Sequence, residues 1–124
     1  RGAAKATLFA MTNPLCTLKI HWKNFPSTKP TGADEATLVK WDLKLLEAQL
    51  DTMKAAHQLH GGKQIGAMDA NTYGRMEAFM FKEGLIKRTL PAEQFLIQRP
   101  GFVDAINRFD HQAVIADAKA CKGL

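Results

Sequence analysis

Apolar residues recur along the chain at steps of three and four, the signature of helices with one buried face. Leu15, Leu18, Trp22 and Phe25 mark such a face after Asn13-Pro14. There Asn can cap a helix, and Pro at the first helical position loses no hydrogen bond. Pro26 must end that helix, which makes Trp22 and Phe25 its core edge and "PSTKPTG" a stiff exit loop. The stretch from Ala33 to about His60 predicts the longest helix, stopped by Gly61-Gly62. It carries two interleaved stripes, Leu38/Trp41/Leu45/Ala48 and Val39/Leu43/Leu46/Leu50/Met53. A face that wide needs cover on more than one side.

Shorter elements flank these two. Ala3 to Met11 is Ala-rich helix material without a capping residue in front of it. Asp69 can cap a helix bearing Tyr73, Met76, Phe79 and Met80, with Gly84 and Leu85-Ile86 as its terminator. A turn or short helix follows Pro91, another follows Pro100 with Phe102, Ile106 and Phe109, and Asp110 caps a last one with Val114, Ala118 and Cys121. No segment alternates with period two, so the expected fold class is all-α, one compact helical unit over residues 1–124.

Composition narrows the reading only a little. With 46% hydrophobic and 23% charged residues the chain has what a folded core needs, and no apolar run approaches a membrane span. The first residues, "RGAAKATLFAMT", carry neither a signal-peptide core nor an initiating Met, and the expectation is a processed or excised chain. A formal net charge of +5 suits an anionic partner, yet the cations are scattered over polar helix faces, which favours a solvated surface over a nucleic-acid footprint. Cys16 and Cys121 lie near opposite ends without metal or redox spacing, and they read as free thiols more readily than as a bridge.

Candidate chemistry is sparse. His57 and His60 are three apart at a helix end, but a third metal ligand is missing and histidine favours helix C-termini in any case. "HQLHGGKQ" fails the phosphate-loop pattern at both ends. The one serine, Ser27, has no nucleophile elbow, and Cys16 sits in an apolar stripe. Asp34-Glu35, Asp104 and Asp110 are best explained as helix-start carboxylates, and Trp22, Trp41 and Tyr73 as packing residues. No catalytic residue, metal site or cofactor is expected, and the chain does not read as an enzyme.

Taken in order, Asn13-Pro14, Ile20-His21-Trp22, Phe25-Pro26, Lys29-Pro30-Thr31-Gly32, Tyr73, Gly84-Leu85-Ile86, Phe102 to Asn107 and Phe109-Asp110 resemble the C-terminal portion of solute-binding proteins of nitrate/sulfonate/taurine-type ABC importers. The chain departs from that pattern at Leu15, where the family commonly has an acidic residue. The resemblance implies the helical C-terminal part of a two-lobed α/β periplasmic binding protein. In the full-length protein the partners would then be a small solute and the ABC permease subunits, and the location periplasmic or otherwise extracytoplasmic. It assigns no ligand-binding residue. Uncovered helix faces would favour a homo-oligomer of the isolated piece. The alternative is a basic helical interaction module with nucleic acid as a candidate partner, whose recognition helix would need clustered cations; here they alternate with acids.

Overall fold

In the computed structural model every residue is described except 60, 68 and 98, together with the side chain of residue 59. Among the described residues six α-helices account for most of the chain: α1 (Gly2–Thr12), α2 (Pro14–Asn24), α3 (Glu35–Leu59), α4 (Ala70–Lys82), α5 (Phe102–Ile106) and α6 (His111–Lys119). Two 3-10 turns, Pro26–Thr28 and Ala92–Phe95, interrupt the connections, and there is no strand among the described residues. The all-α expectation therefore holds.

Local chemistry accounts for the helix ends. Asn13 turns the chain between α1 and α2, and its side-chain oxygen accepts from the Cys16 N–H at 3.1 Å. Asp34 accepts from the Thr37 N–H (3.0 Å) and hydroxyl (2.8 Å) at the start of α3. Asp69 accepts from the N–H groups of Asn71 and Thr72 at the start of α4, and Asp110 from Ala113 at the start of α6. Beyond α4, Gly84 takes φ +69°, which lets the Leu85 N–H reach the Met80 carbonyl at 2.9 Å and closes the helix.

Packing is uneven. α1 lies against α6 and α2, and α2 lies against α3. Leu18, Trp22 and Leu38 form the buried cluster, with Val39, Leu43 and Leu46 packed on it. The main partner of α4 is the turn Ala92–Phe95. The unit is compact, yet incompletely covered: its accessible surface is 8822 Å², against about 6,600 Å² for a typical folded monomer of this mass.

Three sequence expectations are corrected here. Phe25 is not a core edge; it ends α2 with 57% of its surface exposed, because the chain turns outward there into Pro26–Thr28. Of the two stripes on α3, the one through Leu43, Leu46 and Leu50 packs inward, whereas Trp41 (54% exposed) and Leu45 (63%) of the other face solvent. The cysteines, expected as free thiols, form a disulfide between Cys16 and Cys121 with their Cα atoms 5.5 Å apart. Their separation of 105 residues hid a spatial closeness that arises from helix packing. α6 returns along α1, and the Asn13 side-chain amide donates to the Ala118 carbonyl at 2.9 Å, bringing the two chain ends together.

Candidate functional site

Beside the disulfide, α1, α2 and α6 leave an open groove of about 510 Å³. Its floor comes from helical spacing: Phe9 stands one turn after Lys5 on α1, Ile20 follows Thr17 on α2, and Val114 comes from α6. The rim is charged. Lys122 Nζ pairs with Asp117 Oδ1 at 3.0 Å, and Lys5 Nζ stands 5.7 Å from the Phe109 ring centre. The tail after α6 is tied down twice more, by Lys23 Nζ donating to the Leu124 carbonyl at 2.7 Å and by Ile20 Cδ1 lying 3.4 Å from where a Cβ on Gly123 would stand. The groove offers an apolar floor between lysines, suited to holding a small group. No nucleophile stands against a base in it.

A second groove, about 370 Å³, runs along α4. Tyr73 stacks on Phe95 with ring centres 6.3 Å apart, and the Leu90 N–H donates to the Glu77 carboxylate, which is largely buried. Met76, which lines it, leaves more than half of its surface exposed, as do Phe79 and Phe81 on the same helix and Leu85 just beyond it. Of the three aromatic residues expected to pack, Trp22 is the one buried in the core. Its ring is buried, its indole N–H donates to Asp42 at 3.1 Å, and Lys29 Nζ lies 5.0 Å from the ring centre. Trp41 is over half exposed, and Tyr73 is 36% exposed although it stacks on Phe95.

The other candidates fall apart in space. His57 Nδ1 lies 3.2 Å from the Gln64 carbonyl, holding the loop after α3; His60, the other half of the histidine pair, lies outside the described residues. No cluster of three metal-ligating side chains occurs among the described residues. Ser27 sits exposed in the first 3-10 turn. Asp104 is more than a helix-start carboxylate, for it accepts from the Gln64 side chain at 2.6 Å across 40 residues. Beside it Asn107 clamps the same loop: its Oδ1 accepts from the Ile65 N–H (2.8 Å), and its Nδ2 donates to the carbonyls of Ile65 (2.9 Å) and Val103 (2.8 Å). Sequence reasoning had no local signal for Asn107, because a clamp partner 42 residues away leaves no mark on spacing.

Two carboxylates are electrostatically tuned. The Thr37 N–H and hydroxyl hold Asp34 below the ordinary aspartate range, and the Thr72 hydroxyl followed by the Asn71 N–H do the same for Asp69. Both are exposed helix starts, so the tuning reports capping rather than acid–base chemistry.

Comparison with known protein families, with curated proteins and with solved structures yields no significant match.

Proposed function

We propose that the chain is the helical C-terminal segment of an extracytoplasmic solute-binding component of an ABC importer, a scaffold element without catalytic activity. The observation that carries this reading is the Cys16–Cys121 bridge. Stable disulfides belong to oxidising compartments, where such receptors work, and are rare in the reducing compartments where most nucleic-acid-binding modules act. The resemblance of the order of sequence elements to that of nitrate/sulfonate/taurine-type receptors adds to it. A clamp surrounds its solute with two lobes. The grooves beside the disulfide and along α4 are open to solvent, as a scaffold part would leave them.

The reading has a direct test. Calorimetric titration of nitrate, taurine and an alkyl sulfonate should show no saturable binding to the 124-residue chain and stoichiometric binding of one of them to the polypeptide of the complete reading frame. Stoichiometric binding by the 124 residues alone would move the pocket into them and overturn the scaffold role. The charge-based alternative is tested by duplex DNA. Binding driven by a scattered charge of +5 should vanish between low and physiological salt and show no sequence preference.

A further inference from the structure

The bare stripe of α3 has a pattern of its own. Trp41, Leu45, Ala48 and Thr52 follow one another at steps of four, three and four, all four exposed, on the side of the helix roughly opposite Leu43, Leu46 and Leu50. One position earlier, and so about 100° round the helix, runs a second exposed row with the same steps: Lys40, Lys44, Glu47 and Asp51. Its first half is basic and its second half acidic. Among the described residues Lys40, Lys44 and Glu47 make no ion pair, and Asp51 has only Lys54 at 3.5 Å.

We infer that this face of α3 is the interface of a homodimer in which two copies of α3 pair antiparallel about an axis near the level of Leu46. In an antiparallel helix pair each flanking row meets its own copy running the other way. Lys40 of one protomer then stands opposite Asp51 of its partner, and Lys44 opposite Glu47. Symmetry repeats both, giving four complementary pairs from one row. The seam is complementary as well: Trp41 falls near Thr52 of the other protomer and Leu45 near Ala48, large against small, which lets helices interdigitate. A parallel pair would set the charged row against the opposite flank. There Gln49 and Met53 carry no charge and Asp42 is already bonded to the Trp22 indole. Charge therefore selects a second copy and also its direction.

Surface area allows it. The accessible surface exceeds that of a typical monomer of this mass by about 2,200 Å², whereas a standard interface takes about 800 Å² from each partner. The seam from Lys40 to Thr52 is only about 18 Å long, which points to a weak, concentration-dependent dimer. This inference does not rest on the transporter reading.

Sedimentation velocity over a concentration series tests it, with far-UV circular dichroism to verify that each variant keeps its helix content. The wild-type chain should dimerise, and Leu45→Glu should be monomeric throughout. K40E/K44E makes the row wholly acidic and E47K/D51K makes it wholly basic. Each alone should weaken self-association at least about tenfold, since attractive pairs become repulsive ones. Mixed, the two should form a heterodimer. The quadruple exchange K40E/K44E/E47K/D51K restores complementarity only for an antiparallel pair and should dimerise like wild type. A wild-type chain that stays monomeric overturns the inference and assigns the stripe to a different polypeptide. Dimerisation indifferent to the charge variants, or a quadruple variant that remains monomeric, overturns it equally.

Discussion

The two ends of the chain and its middle solve the same problem differently. α1, α2 and α6 are brought together by mutual packing, by Asn13 reaching Ala118 and by the Cys16–Cys121 bridge, while α4 is an amphipathic helix whose main support is one short turn. The apolar residues of α4 are as large as those of the clasped helices, yet Met76, Phe79 and Phe81 stay exposed where Leu18 and Trp22 are buried. Amphipathic pattern makes a helix in both places. What distinguishes them is whether another element arrives to cover the face: α3 covers Leu18 and Trp22 of α2, whereas α4 has one short turn as its main cover.

The largest effect should come from opening the clasp. Replacing both cysteines by serine frees a loop of 105 residues and should lower unfolding stability by up to about 5 kcal/mol in the chain-entropy account, read as the denaturant midpoint of the wild type and the variant without reductant. Core truncation sharpens the contrast next. Leu38→Ala, in the buried cluster, should cost about 2–4 kcal/mol; Phe79→Ala, at 60% exposure on α4, should stay within about 0.5 kcal/mol. Equal losses at the two sites would erase the distinction. Asn13→Ala removes the N-cap of α2 and the bond to Ala118 and should cost about 1–2 kcal/mol.

Acid should produce the smallest change. Asp34 and Asp69 have folded-state pKa values held below their unfolded ones by the Thr37 and the Thr72 and Asn71 hydrogen bonds. Such groups contribute stability above the unfolded value and lose it as pH falls through the folded one. Helicity at the starts of α3 and α4 should therefore decline below about pH 4, with Asp34→Asn and Asp69→Asn flattening the dependence. Both carboxylates are exposed, so salt should mask much of it.

Much of the fold was legible in the sequence because capping and termination are local. Asn13, Asp69, Asp110 and Gly84 each act on neighbours within a few residues, and all of them stand where spacing put them. Burial was less legible. Leu38 and Leu45 occupy the same predicted stripe, yet one is 5% exposed and the other 63%, since only the arrival of α2 decides between them. The clasp and the Asn107 clamp were invisible for the same reason, their partners being 105 and 42 residues distant. As for the site, sequence reasoning named no ligand residue, and the open grooves beside the disulfide and along α4 arise from helix packing that no motif encodes.

Native-state hydrogen exchange, followed residue by residue with and without reductant, tests the division of the molecule most directly. Amides of α1, α2 and α6 should be the most protected under oxidising conditions and α4 among the fastest to exchange. Reduction should collapse the protection of the first group and leave α4 nearly unchanged. Protection in α4 equal to that in α2, or a clasped region whose exchange ignores reductant, would contradict the account.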